Sequence, residues 1–461
     1  MREGPTSRMT PTRARLCATA ESPAVAGADH APAPAVFVHA FFRAGGTYLW
    51  SKFRACRDAM AFYEPFNESL GTDTRSQLLA MTPCSWESKH PALDAPYMTE
   101  YAPLMTVRGL PLFRKEFATA TFFLEPGSDL PAAQCRYLAA LTAQARRSGK
   151  RPVLGFSRSL GRVAALRRAF AAAHIVLMRS PAHQWMSCFA QCLDHGNDYF
   201  LVMHLMVAGQ NRHHPLVREM AERCGIQYIE CRSFEEEIAA YRKVAARLEL
   251  DAAYRVFLAV YVAAYLEALP ESDLVVDMDL LSHAGYRRSI ERRIEALTRI
   301  PLDLSDAMMP SYPLREIGVD FARCHAEMLD DLARHCAAPP AARAAPEGAD
   351  WPRFVVRAKI EEATRGYLEE LRIDGRQKEA AGRQGGADAA SESSEAMLLA
   401  ARLNQTASRL KATETRLDAV MQSTSWKATA PLREIVDLLR DATRRGPFMT
   451  PKGAGPRPVG R

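Results

Sequence analysis

The sequence lacks the cysteine patterns that define a small disulfide-bonded or zinc-binding protein. Its ten cysteines show no repeated spacing and no CxxC pair, which excludes a disulfide framework and a zinc ribbon. Cys188 and Cys192 lie four residues apart on a predicted helix face, where we expect packed thiols. The Cys/His pairs at 324–325 and 335–336 fit no standard zinc module. No metal site is therefore predicted.

Long hydrophobic runs are also scarce. The N-terminus carries arginines but no continuous apolar core of the kind a signal peptide needs. The most apolar stretch, Val256–Leu269, is interrupted by Glu267 and is expected to be too short to span a bilayer. We therefore expect a soluble, cytoplasmic protein. The formal net charge of +7 suits a small anionic ligand, but it is too diffuse to indicate a nucleic acid partner.

The chain divides by composition and periodicity into a tail, a large domain and a C-terminal appendage. Residues 1–34 are rich in Ala, Pro, Ser and Thr and are predicted to be a disordered tail. Residues 35–372 alternate short β-type runs with helical patterns, which predicts an α/β domain with a parallel sheet flanked by helices. The proline-rich region 72–127 is predicted to be a loop-like insertion that shapes a substrate cleft. The strands are expected at Val36–Phe41, Ala61–Tyr63, Val153–Phe156, His174–Met178, Gln227–Glu230 and Leu274–Asp277.

The C-terminal appendage begins with a change in composition. Residues 373–395 are rich in small and charged residues and are predicted to be a linker. In 396–445 a helical pattern places leucines at positions 403, 410 and 417, seven apart. This spacing predicts a helical tail with a weak coiled-coil seam, and an isolated amphipathic helix is the alternative. Residues 446–461 are rich in Pro and Gly and are predicted to be disordered.

An anion-binding loop is predicted after the first strand. The apolar run from Val36 is followed by two glycines and then by a helical pattern. A helix N-terminus preceded by glycines presents backbone N–H groups and partial positive charge to an anion. No GxxxxGK[ST] motif is present, so a magnesium-nucleotide site is not indicated. The alternative is an ordinary tight turn. The loop residues are Arg43, Ala44, Gly45, Gly46, Thr47 and Tyr48.

A second candidate anion site follows a later strand. Arg179 comes directly after the predicted strand His174–Met178, and Ser187 follows it by eight residues on the next helix. Open α/β sheets bind ligands at the carboxyl ends of their strands. An arginine and a hydroxyl placed there can hold a phosphate between them.

These two motifs together resemble the family of sulfotransferases that use 3′-phosphoadenosine 5′-phosphosulfate (PAPS). Members carry a Lys/Arg-x-Gly-[Ser/Thr/Gly]-[Ser/Thr] loop for the 5′-phosphosulfate and an Arg and a Ser, eight apart, for the 3′-phosphate. Arg43–Thr47 and the Arg179/Ser187 pair are similar to these motifs. The resemblance covers roughly residues 35–305 and implies a P-loop NTPase-like sheet, PAPS as donor and no metal. Arg43 stands where many members have Lys. Carbohydrate sulfotransferases often have Arg at this position, which favours a sugar acceptor.

A third segment supports a glycan acceptor. Residues 61–68, AFYEPFNE, resemble the Tyr-Glu-Pro segment of carbohydrate sulfotransferases, and the resemblance makes Glu64 the expected catalytic base. A positioned base contributes about 10²–10⁴-fold to a rate. Glu68 and His39 are the second and third candidates, although a histidine inside a central strand is usually packed. Arg158 follows a third strand on the same sheet edge, where it is expected to contact donor phosphates or an acidic acceptor, or to have no role.

The end of the chain resembles a segment of bacterial surface-polysaccharide glycosyltransferases. This segment, 423–433, suggests docking on polysaccharide-assembly proteins or on a membrane surface. The sequence therefore predicts a sulfotransferase that moves a sulfuryl group from PAPS to a hydroxyl of a bacterial glycan or glycolipid. Arg43 would stabilise charge on the bridging oxygen, and Glu64 would accept the proton. The alternatives are a catalytically inactive scaffold that acts through its tail and a P-loop kinase.

Overall fold

The parallel pattern of strands and helices is present in the computed structural model, which describes residues 34–83, 90–308, 310–336 and 350–382. In this part of the chain the strands are β1 Ala35–His39, β2 Ala59–Tyr63, β3 Arg151–Phe156, β4 Ala172–Met178 and β5 Leu274–Asp277. The helices are α1 Gly46–Arg54, α2 Ser69–Thr72, α3 Arg75–Leu78, α4 Ala132–Arg147, α5 Val163–Ala169, α6 Pro181–His195, α7 Tyr199–Gln210, α8 Pro215–Arg223, α9 Phe234–Ala245, α10 Leu250–Ala268, α11 Ala284–Thr298, α12 Phe321–Cys336 and α13 Trp351–Gly382.

The five strands form one sheet in the order β2-β3-β1-β4-β5, and every neighbouring pair is parallel. The chain leaves β1 toward β2 on one side, whereas it leaves β4 toward β5 on the other. The carboxyl ends of β1 and β4 therefore flank the point where the strand order reverses. Ligands of open α/β sheets bind at such a point. The α/β fold class and five of the six predicted strands are confirmed.

Burial explains why the strands read as nearly continuous apolar runs. All five residues of β1 are buried, as is β4 beyond its first residue. Sheets made only of parallel strands are covered on both faces, so their strands need no alternation of polar and apolar residues. The remaining core comes from helices that cover the two faces.

Helix α10 is a long apolar helix of the core. With its extension to Glu271 it reaches 22 residues, and an 18-residue window within it has a mean hydropathy of 1.4. Among the described residues it is the one helix long and apolar enough to cross a membrane. The expectation that this stretch is too short was wrong. Most of it is nevertheless buried inside the protein. Its Tyr261 and Tyr265 hydroxyls donate hydrogen bonds to the carbonyl oxygens of Arg179 and Leu177, which fixes the helix against the end of β4.

Two expectations from the sequence require correction. Residues 227–230 form no strand, because this exposed segment is held by the Tyr241 hydroxyl rather than by a neighbouring strand. Helix α13 runs through residue 373, where a linker was predicted, and ends at Gly382. Its last turns are built from Arg, Gln, Lys, Glu and Ala, which favour helix as well as they favour a solvated linker. The tail predicted from 396 onward, like residues 1–33, lies outside the described residues.

Candidate functional site

A cavity of about 340 Å³ opens at the carboxyl ends of β1, β3 and β4. Its walls come from the loop after β1, from the start of α1, from β4 and α6, and from the segment that follows α11. The charged side chains in its wall are Arg43, Arg179, Glu64 and Asp306. Two predicted motifs and the predicted base therefore line one space, at the position that the strand order favours for a ligand.

The loop between β1 and α1 has the backbone geometry of an anion cradle. Gly45 is left-handed with φ 88°, and α1 starts at the next residue. A Cβ on Gly45 would lie 2.6 Å from the Met278 methyl carbon, so only glycine fits here without a shift. The first hydrogen bond into this helix runs from Leu49 N to Gly45 O at 3.3 Å. Within the described chain no backbone acceptor pairs with the amides of Gly46 and Thr47, as is usual for a first turn.

The arginine of this loop reaches across to the second motif. Arg43 itself has φ 63°, and its Nε donates a hydrogen bond to Ser187 Oγ at 3.0 Å. Its guanidinium lies over the ring of Phe200, 5.2 Å from the centroid. The Tyr312 hydroxyl donates to the same Ser187 oxygen at 3.2 Å. Arg43 and Ser187, which belong to different motifs, are thus direct partners.

Arg179 completes the connection between the motifs. Its side chain is 2% exposed, and its Nη1 donates to the carbonyl oxygen of Arg43 at 3.2 Å. Its Nε lies 3.6 Å from Asp279 Oδ1 and makes no hydrogen bond with any described residue. Burial lowers the pKa of Arg179, although Asp279 and Tyr312 act in the opposite direction. Arg179 Nη2 donates to the carbonyl oxygen of Pro310 at 2.5 Å, so protein acceptors hold the guanidinium in the cavity wall.

A lysine from the C-terminal helix neutralises the carboxylates beside Arg179. Lys359 is 4% exposed, and its Nζ lies 2.8 Å from Asp279 Oδ2 and from Asp277 Oδ2. Asp279 Oδ2 also accepts a hydrogen bond from the amide of Ser180 at 2.6 Å. Helix α13 is therefore tied to the end of β5, directly beside the predicted phosphate arginine.

The other loop residues, Ala44, Thr47 and Tyr48, contact neighbouring protein groups. Thr47 Oγ1 lies 3.1 Å from the Tyr63 hydroxyl. Tyr48 donates its hydroxyl to Asp306 Oδ1 at 2.8 Å and so faces the outer rim. Ala44 is buried under the loop, where its amide donates to Phe41 O at 3.1 Å.

Glu64 lines the cavity and is held from behind by Arg158. The backbone of Glu64 is left-handed with φ 40°, and its amide donates to Gly155 O at 2.7 Å. Its Oε2 accepts hydrogen bonds from Arg158 Nη1 at 2.7 Å and from Asn67 Nδ2 at 3.1 Å. The side chain keeps 17% of its surface exposed. Glu64 is thus oriented by its neighbours while part of the carboxylate faces the cavity.

Arg158 and Glu68 lie behind this wall. Arg158 is 1% exposed, and its Nη2 donates to Glu68 Oε2 at 2.9 Å and to the Tyr199 hydroxyl. Burial alone would lower the pKa of Arg158, but Tyr199, Glu68 and Glu64 raise it above its usual value. Arg158 therefore offers no direct contact to a substrate, contrary to one expectation from the sequence. The expectation considered the sheet edge alone, whereas two carboxylates from the segment after β2 cover the arginine.

His39 belongs to the core. Its Nδ1 lies 2.7 Å from Ser159 Oγ and its Nε2 lies 3.0 Å from His174 Nδ1. Burial and the neighbouring His174 hold the pKa of His39 well below its usual value. His39 is therefore a packed, neutral histidine, the alternative that the sequence already favoured for a central strand.

One residue of the site was missed by the sequence analysis. His90, from the irregular region 72–127, lines the cavity with its Nε2 at 3.2 Å from Arg43 Nη1. Its Nδ1 lies 2.6 Å from the Tyr97 hydroxyl. Burial and the Arg43 charge lower the pKa of His90 to about 3, so the ring is neutral at physiological pH. A lone histidine between prolines carries no pattern that would have identified it.

No protein-family model matches the chain, and comparisons with curated proteins and with solved structures found no match either. The chemistry of the site is therefore inferred from its geometry and from the motif resemblance. A cavity with two arginines, unpaired helix amides and an oriented carboxylate can bind a multiply charged anion and accept a proton.

Proposed function

We propose that the chain is a PAPS-dependent sulfotransferase that acts on a hydroxyl of a bacterial glycan or glycolipid. The observation that carries this proposal is the direct contact between the two motifs. Arg43 donates to Ser187, and Arg179, 136 residues away in sequence, donates to the backbone of Arg43. We also assign the sheet to the P-loop type, because its first strand leads through a glycine turn into a helix that faces the cavity.

The donor has two charged ends, and the cavity has a basic group for each. Arg43, Gly45, Gly46 and Thr47 would hold the 5′-phosphosulfate, as the resemblance implies. Arg179 and Ser187 would hold the 3′-phosphate. The open amides of the first helical turn and the place of Arg179 in the cavity wall fit this assignment. PAPS supplies the sulfuryl group and takes no metal in this scheme.

Proton transfer is assigned to Glu64. The sulfur–oxygen bond to the donor phosphate breaks as a new bond forms to the acceptor oxygen, and the acceptor proton passes to the Glu64 carboxylate. Arg158 and Asn67 bond to Oε2, which leaves Oε1 as the proton acceptor. Arg43 and the loop amides stabilise the negative charge left on the donor phosphate, so catalysis consists of positioning and electrostatic stabilisation.

Calorimetric titration tests the donor assignment. Arg179→Ala should weaken binding of 3′-phosphoadenosine 5′-phosphate by about 1.5–3 kcal/mol, since charge-assisted hydrogen bonds are lost. Adenosine 5′-phosphosulfate lacks the 3′-phosphate and should bind parent and variant alike. Arg167→Ala is the matched control, because Arg167 is exposed and pairs with Asp273. Equal losses for both ligands would remove the 3′-phosphate assignment.

A further inference from the structure

A second cavity lies at the opposite edge of the sheet. It has a volume of about 620 Å³ and is bounded by the turn before β2, the end of α4, the start of β3 and the end of α11. These are the amino ends of the strands, one strand length away from the candidate donor site. Its charged wall residues are Arg57, Asp58, Arg146, Lys150, Arg151 and Arg299.

Positive charges outnumber carboxylates in the wall of this cavity. Asp58 is the single carboxylate among the wall residues, and within the described chain none of the five cations forms an ion pair. Some exposed arginines elsewhere do form ion pairs, for example Arg167 with Asp273 and Arg242 with Asp198. What distinguishes this wall is that five cations and one carboxylate face the same space.

Arg151 and Arg299 line the same space, where the charge of Asp58 opposes the effect of Arg299 on Arg151. Arg151 is half-buried, and burial followed by the charge of Arg299 lowers its pKa. Arg299 follows α11 with φ 54°, a left-handed conformation that glycine would adopt more easily. Many helices end with a residue in this conformation, and here it places Arg299 in the wall of the cavity.

We propose that this basic cavity binds a compact anion that carries two linked phosphate groups. Five cations from four segments surround one space, whereas a single phosphate would engage two or three of them. The cavity is also wider than one phosphate group requires. An anionic lipid surface also presents phosphate groups, one on each headgroup, and the experiment separates it from a free diphosphate. This proposal is independent of the sulfotransferase assignment.

The main test is titration of the full chain with inorganic pyrophosphate. The parent should bind it saturably, and Arg57→Gln should weaken binding about tenfold through the loss of a charged contact. Arg299→Gly should weaken binding to a similar extent while stability stays equal or rises, because glycine fits the left-handed backbone. If Arg299 had only a structural role, Arg299→Gly would not weaken binding while stability stays equal or rises.

Arg147→Gln is the matched control. Arg147 neighbours Arg146 on the last turn of α4 but donates to Gln144 instead of lining the cavity. Its variant should bind pyrophosphate like the parent. Arg179→Ala should also leave this binding unchanged, since Arg179 lines the other cavity. Absence of saturable pyrophosphate binding, or equal losses in Arg147→Gln and Arg57→Gln, would overturn the proposal.

Phosphatidylglycerol vesicles form the second arm. The proposal predicts that Arg57→Gln and Arg299→Gly leave vesicle co-sedimentation unchanged. If both variants lose vesicle binding and the parent does not bind pyrophosphate, the cavity recognises a lipid surface and the diphosphate proposal is wrong.

Discussion

Lys359 provides the most informative perturbation of the fold and the site together. It reaches from α13 to two carboxylates at the end of β5, and one of them, Asp279, lies beside Arg179. Burial alone would lower the pKa of Lys359, but Asp279 and Asp277 raise it. Lys359→Met keeps the length of the side chain and removes its charge.

The expected cost follows from the carboxylates that remain. Removing one partner of a buried ion pair typically costs about 3–5 kcal/mol, because the other charge is left uncompensated. Asp277 and Asp279 keep 24% and 16% of their side-chain surface exposed, so water relieves part of this penalty. We therefore expect a loss of about 3 kcal/mol in the free energy of unfolding.

Urea denaturation measures this loss. Arg357→Met is the control on the same helix, because Arg357 is exposed and pairs only with Glu361 there; its effect should stay below about 1 kcal/mol. Adding Asp277→Asn and Asp279→Asn to Lys359→Met should restore most of the stability. The account of this network is refuted if Lys359→Met costs no more than the control, or if the added substitutions bring no recovery.

Three further predictions concern the base, the appendage and pH. Glu64→Gln should lower kcat by about 10²–10⁴ with little change in donor affinity. Glu68 lies behind Glu64, so Glu68→Gln should lower kcat much less. A larger loss of kcat in Glu68→Gln in steady-state assays would show that the base is misassigned. Truncation after Gly382, where α13 ends, should leave binding of 3′-phosphoadenosine 5′-phosphate intact by calorimetry, because α13 and the Lys359 network are retained; an unfolded product would contradict this expectation. Burial holds the pKa values of His90 and His204 at about 3 in the folded chain. Unfolded histidine binds a proton near pH 6.5, so stability should fall by about 2 kcal/mol per histidine between pH 7 and pH 5. Thermal unfolding at several pH values checks the slope, and a flat profile would contradict it.

The sequence predicted that Arg43, Arg179 and the glycine loop would lie at one edge of the sheet. A parallel sheet brings the ends of its strands to one edge, so Arg43 and Arg179 were expected to meet once their strands were identified. The anion cradle was predicted from local sequence, because glycines directly precede the helical pattern. These inferences needed only the parallel direction of the strands and the chemistry of helix termini.

The second layer of the site could not be predicted in this way. The bonds from Arg158 to Glu64 and Glu68 depend on how the segment after β2 folds back over β3. Lys359 arrives from a helix more than 80 residues after its partner Asp277. His90 lies in an irregular region without periodicity. Such contacts depend on tertiary packing, and nothing in local spacing encodes them.

The most direct test of the central claim is transfer of labelled sulfate. Purified full-length chain is incubated with ³⁵S-labelled PAPS and a panel of bacterial glycans and glycolipids, with EDTA present. The account predicts label in at least one acceptor, at a rate strongly reduced in Glu64→Gln and Arg179→Ala. Tight binding of 3′-phosphoadenosine 5′-phosphate without any transfer would contradict it and favour a scaffold, and magnesium-dependent transfer of phosphate from ATP would contradict it in favour of a kinase.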